Sequence, residues 1–157
     1  RDNNVEVRYA LNEAIKFTPA KDNGSDSSKN GSSGSKQSRR SQLVNYALQF
    51  VGGPYQYGGS DPHTGVDCSG FTRYVYQHGA GITLNRSSRG QALQGKEISA
   101  DQMRPGDLLF YGSKSNIDHV AMYIGEGKIV HASTERTGIT ISNWNYRNPV
   151  KIVSMLG

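Results

Sequence analysis

A Gly- and Ser-rich segment divides the chain and leaves only one stretch long enough to fold. Residues 20–40 contain no aliphatic or aromatic side chain apart from Ala20. Such a segment cannot bury enough apolar surface to offset the entropy lost on ordering. We therefore expect residues 19–40 to form a flexible Gly/Ser/Lys linker. The folded domain is then confined to residues 41–157, which is an ordinary size for one domain.

The N-terminal piece, residues 1–18, is too short to fold alone. Its residues Val5, Val7 and Tyr9 alternate in the manner of an edge strand. The pattern fits the tail of an upstream domain, and a disordered tail is the alternative. Hydrophobic residues make up 34% of the chain, a low fraction that agrees with part of it not packing.

Dense structural signals begin at Ser41, a candidate helix N-cap. Apolar residues at helical spacing follow it, and Gly52–Pro54 ends the pattern. A second helix is predicted to begin after the cap residue Asp67 and to end at Gly79. Short β-like runs come next, so we predict an α+β fold with N-terminal helices packed on an antiparallel β-sheet. The runs are Asp107–Tyr111, Val120–Ile124, Lys128–His131, Ile139–Ile141 and Val150–Val153.

The formal net charge of +5 does not indicate a nucleic-acid partner, because most of the excess lies in the predicted linker. The sequence lacks the basic stripe on a folded face that would follow a phosphate backbone. It also lacks a run of about 18 apolar residues, so we expect no membrane span. The linker charges are Lys21, Lys29, Lys36, Arg39 and Arg40 against Asp22 and Asp26.

The chain has one cysteine, so it cannot form an internal disulfide. If Asp67 caps the second helix, Cys68 is the first helical residue. The free N–H groups and the dipole at a helix N-terminus favour a thiolate. The sequence therefore favours a reactive thiol over a structural one, with a pKa below the unperturbed value of about 8.5.

A thiol nucleophile needs a base that can return the proton to the leaving group, and histidine suits neutral pH. His63 lies in a turn-rich loop, and His78 lies in the last turn of the second helix, so both fit ordinary structural roles. His119 and His131 instead flank a predicted β-hairpin.

The register of this hairpin decides whether His119 and His131 can meet. If the numbers of paired residues add to 250 or 252, both rings lie on one face of the sheet, which we expect to be the Cys68 side. An odd sum, as in a two-residue turn at Glu126–Gly127, places the rings on opposite faces. Two unrelated loop histidines remain the alternative.

Five motifs follow one another along residues 41–157, and their order and spacing cover the whole predicted domain. They are Pro54–Gly59, Asp67–Phe71, Arg104–Phe110, Asp118–Gly125 and Ile129–Ala132. In this order they resemble the NlpC/P60 family of cell-wall cysteine peptidases. The resemblance implies a compact papain-like core and a secreted, wall-associated monomer that uses no cofactor. Gln56 departs from the pattern, because many relatives carry an aromatic residue there.

The resemblance also implies an activity and a role for each matching residue. Relatives usually hydrolyse the stem peptide of peptidoglycan between the γ-carboxyl of D-glutamate and the next diamino acid, through an acyl-enzyme. Polar groups near the nucleophile stabilise the oxyanion that forms on the way. The implied roles are Cys68 as nucleophile, His119 as base, His131 as the residue orienting the base, Tyr57 beside the oxyanion site, and Asp67 and Ser69 in the substrate groove.

Two other functions are compatible with the same residues. A zinc hydrolase could use Cys68, His119 and His131 as ligands and keep the fourth position for water. A short ligand spacing such as His-x-x-x-His is missing from the sequence, which disfavours this reading. A wall-binding module without catalysis is disfavoured because every catalytic position is filled.

Overall fold

A computed structural model describes residues 31–156, which form three α-helices, a short 3-10 helix and two antiparallel sheets. The α+β fold predicted from the sequence is confirmed, and the five strands that follow the 3-10 helix overlap the predicted β-runs. The elements of five residues or fewer are too short to produce a periodic pattern. The helices are α1 (Gly31–Leu48), α2 (Cys68–Ala80), α3 (Ser88–Ala92) and the 3-10 helix Ala100–Gln102. The strands are β1 (Ser60–Asp61), β2 (Gly65–Val66), β3 (Lys96–Glu97), β4 (Leu108–Ser113), β5 (Asn116–Gly125), β6 (Lys128–Thr134), β7 (Gly138–Asn143) and β8 (Pro149–Ser154).

Helix α1 begins at Gly31 and not at Ser41, so the predicted domain boundary falls inside a helix. Arg40, which was assigned to the linker, is only 4% exposed. Its guanidinium donates to Asp107 Oδ1 and to the carbonyl oxygen of Pro105, both at 2.9 Å. A buried carboxylate requires such a partner. The linker prediction is therefore wrong for residues 31–40, and residues 1–30 lie outside the described residues.

Helix α2 begins as predicted and ends slightly later. The carboxylate of Asp67 accepts the N–H of Gly70 at 2.8 Å, which confirms Asp67 as the N-cap. The C-cap is Gly81, in the left-handed conformation with φ of 70°, and not Gly79. Gly79 instead lies where α1 packs on α2, because a Cβ there would be 3.0 Å from Leu43 Cδ1.

The large sheet has the strand order β3-β8-β4-β5-β6-β7 and buries a different set of side chains on each face. Alternate residues along each strand point to opposite faces. One face packs against α1 and α2 through residues such as Phe110, Met122 and Val130. The other face carries a smaller cluster that includes Leu109, Tyr111, Ala121, Ile129 and Ile152. None of the helices within residues 31–156 is long and apolar enough to cross a membrane.

Candidate active site

Cys68 is half-buried at the first position of α2. The backbone groups of Val120, Ser69 and Cys68 itself act to lower the pKa of the Cys68 thiol and so favour the thiolate. Burial outweighs these effects and raises the pKa of the Cys68 thiol, and the nearby Asp67 carboxylate acts in the same direction. The low thiol pKa expected from the helix N-terminus is therefore wrong, because that expectation omitted the desolvation of the sulfur.

The hairpin that joins β5 to β6 closes through a two-residue turn. Glu126 and Gly127 both have positive φ, at 56° and 74°, and Gly125 pairs with Lys128 across the turn. Positive φ at both central residues is the signature of the tight turns that match strand twist. Continued without interruption, this register would have placed His119 and His131 on opposite faces of the sheet.

A β-bulge at Ile124 corrects this register before the strands reach the histidines. The pairing shifts between Tyr123 and Gly125, so that Tyr123 lies opposite Ile129 and Met122 lies opposite Val130. One extra residue on β5 turns an odd pairing sum into the even sum of 252. The expectation that both imidazole rings share a face is confirmed.

The two imidazoles form a buried hydrogen-bonded pair. His119 Nε2 and His131 Nδ1 are 2.7 Å apart, and His131 Nε2 lies 2.9 Å from Ser142 Oγ on β7. Burial lowers the pKa of His119 to about 4 and that of His131 to about 3. Both rings are therefore neutral at physiological pH, so His119 is available to accept a proton.

The rings of the pair adjoin the second hydrophobic cluster of the sheet, and their placement on the Cys68 side stays a prediction. His119 contacts Tyr111, at a ring-centroid distance of 5.9 Å, and Tyr111 belongs to the second hydrophobic cluster. In the described chain, the pairing of β5 with β6 ends at Met122 and Val130. The backbone of Val120, the residue after His119, acts to lower the pKa of the Cys68 thiol, so the sulfur lies close to that part of β5.

Tyr55, and not the predicted Tyr57, is the tyrosine that lies near Cys68. Tyr57 is 83% exposed. Tyr55 forms a parallel bridge with Val66, two residues before Cys68, and packs against the core together with Cys68. Burial is the largest cause that raises the pKa of Tyr55, and the charge of Cys68 raises it further. The motif contains both tyrosines at alternate positions, so spacing alone could not distinguish them.

Asp67 and Ser69 flank Cys68 in sequence. Arg86 hydrogen-bonds to the side chains of both, and the sequence analysis did not predict a role for Arg86. Arg86 donates from Nη1 to Ser69 Oγ at 2.9 Å and from Nη2 to Asp67 Oδ2 at 3.2 Å. Asp67 Oδ2 also accepts the N–H of Gly58 at 2.9 Å. Asp67 and Ser69 thus have internal structural roles, and their contact with substrate stays a prediction.

Glycines let the loop before β1 approach the start of α2. A Cβ on Gly70 would lie 2.3 Å from the carbonyl oxygen of Gly59, which is closer than real Cβ atoms come to backbone. The same oxygen accepts Arg86 Nη2 at 2.9 Å and the N–H of Asp67 at 3.3 Å. The Gly58–Gly59 and Ser69–Gly70 pairs of the motifs therefore fix the backbone around Cys68.

The geometry does not support the zinc alternative. Within residues 31–156, no group of three or more His, Cys, Asp or Glu side chains could hold a metal ion. Both ring nitrogens of His131 already have protein partners, His119 and Ser142. A thiol together with a neutral imidazole is the pair of groups that a cysteine hydrolase requires.

Comparison with known sequences agrees with this class. The sequence pattern of the NlpC/P60 family matches residues 52–153. The gamma-DL-glutamyl hydrolase of Bacillus subtilis is 41% identical over 108 residues, which are 68% of this chain and 25% of that protein. The probable endopeptidase p60 of Listeria innocua is 42% identical over 90 residues, which are 57% of this chain and 19% of that protein. The chain belongs to the NlpC/P60 family.

Solved structures have the same fold. The NlpC/p60 domain of the peptidoglycan hydrolase SagA superposes with a TM-score of 0.69 at 38% identity, covering 74% of this chain and 98% of that domain. An NlpC/P60 protein from Bacillus cereus has a TM-score of 0.70 at 31% identity, covering 75% of this chain and 40% of that one. The chain thus matches a whole solved domain but only about a quarter or less of the curated relatives.

Proposed function

We propose that this chain is a cysteine endopeptidase that hydrolyses the stem peptide of peptidoglycan between the γ-carboxyl of D-glutamate and the following diamino acid. The observation that carries the proposal is the chain of hydrogen bonds from His119 through His131 to Ser142. The backbone of Val120, next to His119 in sequence, acts on the pKa of the Cys68 thiol, which supports a thiol close to the base. The names of the relatives, a gamma-DL-glutamyl hydrolase and a peptidoglycan hydrolase, support the choice of bond.

The proposed reaction selects one assignment of the protons on the two rings. His119 must accept a proton on the ring nitrogen that faces away from His131, so we assign His119 Nε2 as the donor to His131 Nδ1. With that assignment His131 Nε2 donates to Ser142 Oγ, and His119 Nδ1 is the basic atom. His131 then holds the His119 ring in one tautomer and orientation.

The reaction proceeds in two balanced halves. The Cys68 sulfur forms a bond to the γ-carbonyl carbon of D-glutamate while His119 takes the thiol proton. The C–N bond then breaks, the diamino acid leaves with that proton on its amine, and a thioester remains. Water, deprotonated by His119, attacks the thioester and releases the γ-carboxyl of D-glutamate and the free thiol. The Cys68 N–H and the Tyr55 hydroxyl are the candidate donors to the oxyanion.

The proposal extends to the setting of the enzyme. The substrate lies in the bacterial cell wall, so the enzyme acts outside the cell as a secreted or wall-associated protein. We propose that it acts as a monomer, because Cys68, His119, His131 and Ser142 all come from one chain.

Product analysis of digested peptidoglycan tests the proposed bond. We expect liquid chromatography with mass spectrometry to find fragments that end in the free γ-carboxyl of D-glutamate, together with fragments that begin at the diamino acid. Cys68→Ala is expected to produce neither and to keep the circular dichroism spectrum of the parent. Cys68→Ser is expected to be nearly inactive as well, because a hydroxyl is a far weaker nucleophile in this setting.

Inhibition separates this function from the zinc alternative. We expect iodoacetamide to abolish activity and a chelator to leave it unchanged. Cleavage at another bond, full activity in Cys68→Ala, or loss of activity with the chelator alone would each contradict the proposal.

A further inference from the structure

The turn between β7 and β8, residues 144–148, places an aromatic ring against His131 of the histidine pair. The ring of Tyr146 lies 5.4 Å from that of His131 in an edge-on arrangement and 5.4 Å from that of Tyr111. Tyr146 is 44% exposed, whereas His119 and His131 are 8% and 1% exposed. Tyr146 therefore contacts the buried pair through His131 while part of its ring remains open to solvent.

The turn is tied to the sheet on both sides of Tyr146. Arg147 donates to both carboxylate oxygens of Asp118, at 3.0 and 3.3 Å, and its guanidinium lies 5.7 Å above the Tyr111 ring. The Tyr111 hydroxyl donates to the carbonyl oxygen of Trp144 at 2.7 Å. Two-point pairing of this kind fixes orientation as well as distance. Because Asp118 directly precedes the base His119, the clamp holds Tyr146 in a defined position beside the base.

The direction of the reaction decides which part of a substrate meets Tyr146. In the proposed function, His119 returns its proton to the amine of the diamino acid, so that amine must lie within hydrogen-bonding reach of His119. Within residues 31–156, Tyr146 is an exposed aromatic residue that contacts this pair, through His131. Burial raises the pKa of Tyr146 most strongly, and Cys68 contributes in the same direction, which agrees with a hydroxyl that shares the cleft with the sulfur.

We infer that Tyr146 is the contact surface for the leaving-group side of the substrate, the diamino acid, and that Arg147 and Asp118 are its positioning residues. The inference rests on the proposed function. It assigns specificity toward the diamino acid to a turn that none of the five sequence motifs contains.

A pair of substrates that differ only in the leaving group tests this assignment. One is L-Ala-γ-D-Glu linked to a diamino acid and D-Ala, with lysine or diaminopimelate chosen as whichever the unchanged enzyme cleaves faster. The other is the L-Ala-γ-D-Glu γ-amide, which releases only ammonia. We expect Tyr146→Ala to lower kcat/KM for the peptide about tenfold more than for the amide. Tyr146→Phe retains the ring and is expected to keep most of the preference for the peptide.

Two further variants separate substrate contact from damage to the turn. Asn145→Ala changes an exposed neighbour in the same turn, and we expect it to leave the peptide-to-amide ratio unchanged. Arg147→Gln frees the clamp and is expected to lower the ratio, whereas Arg147→Lys restores part of it. Equal losses on both substrates in Tyr146→Ala, or no loss on either, would overturn the inference. If the unchanged enzyme cleaved neither substrate, the proposed function itself would fail.

Discussion

At the scale of single residues, burial decides the resting state of the site. The thiol of Cys68 has a raised pKa and the imidazole of His119 a lowered one, and desolvation is the largest cause of both shifts. The free enzyme therefore starts from a neutral thiol and a neutral imidazole, and not from the thiolate that the helix N-terminus alone suggested. The identity of these residues could be predicted from the motifs. Their protonation could not, because it depends on how the sheet and the loops enclose them.

The two histidines are expected to differ in importance. His119→Ala removes the proton acceptor, so we expect kcat/KM to fall about a thousandfold or more. His131→Asn keeps a hydrogen-bonding side chain and is expected to lose less activity than His131→Ala, with Ser142→Ala losing less still. Steady-state kinetics on one soluble muropeptide measures this order. Equal losses in His131→Ala and His119→Ala would contradict the division of roles.

The pH–rate profile of the unchanged enzyme checks the protonation state. Because His119 must be neutral to accept the thiol proton, kcat/KM is expected to fall as the pH drops through the His119 pKa of about 4. If kcat/KM instead fell near the ordinary histidine pKa of about 6.5, His119 would be hydrated in solution and not buried. The choice between Tyr55 and Tyr57 likewise depends on the fold, because both belong to one motif and only the structure shows that Tyr55 packs against the core while Tyr57 is exposed.

At the scale of elements, one bulge determines whether the site exists. The turn Glu126–Gly127 sets a register that separates the histidines, and the extra residue Ile124 restores it. The sequence indicated the hairpin and the alternative registers. It could not select between them, because a bulge has no periodic signature and depends on the balance between turn geometry and side-chain packing.

Variants in this turn are expected to change stability in opposite directions. Glu126 is the only described residue other than glycine with positive φ, at 56°. Glu126→Asn places a residue that tolerates this conformation before Gly127, and we expect the free energy of unfolding to rise by about 0.5–1 kcal/mol. Gly127→Ala is the matched control. Its Cβ would meet Trp144 Cδ1 at an ordinary 3.7 Å, so a decrease of about 1 kcal/mol would come from backbone conformation alone. Urea titration measures both, and a loss of stability in Glu126→Asn would contradict the turn assignment.

At the scale of the whole molecule, the domain starts earlier than its composition suggested. The sequence of residues 31–40 is polar and rich in Gly and Ser, yet these residues continue α1, and Arg40 neutralises the buried Asp107. Local composition cannot predict this extension, because the partner that stabilises it lies far away in sequence. The fold class, the cap at Asp67 and most of β4 to β8 follow from local pattern and were predicted correctly.

Shortening the chain tests this boundary. A chain that begins at Ser41 loses Arg40 and leaves Asp107 buried without its cation, so we expect its free energy of unfolding to be lower by about 3–5 kcal/mol than that of a chain beginning at Gly31. Asp107→Asn in the shorter chain is expected to recover part of the loss. Equal melting curves for the two lengths would show that the ion pair does not contribute.

The buried histidine pair also makes stability depend on pH. Unfolding returns each imidazole to its ordinary pKa of 6.5, whereas the folded values are about 4 for His119 and about 3 for His131. Between the folded and the unfolded pKa values, the unfolded chain binds more protons than the folded one. The contribution of the neutral pair to the free energy of unfolding is therefore complete above pH 6.5 and is lost as the pH falls toward about 4. For His119 alone, we expect the free energy of unfolding to fall by roughly 3 kcal/mol. Denaturant titrations across this range measure it, and His131→Asn is expected to reduce the slope. A flat profile would contradict burial of a neutral pair.

Partitioning with hydroxylamine tests the acyl-enzyme on Cys68 most directly. If a thioester forms, hydroxylamine competes with water for it, and L-Ala-γ-D-Glu hydroxamate accumulates at the expense of the acid. We predict the same ratio of hydroxamate to acid for substrates with different leaving groups, because all of them pass through one intermediate. We also predict that Cys68→Ala forms neither product. A ratio that changes with the leaving group, or acid without any hydroxamate, would contradict the account.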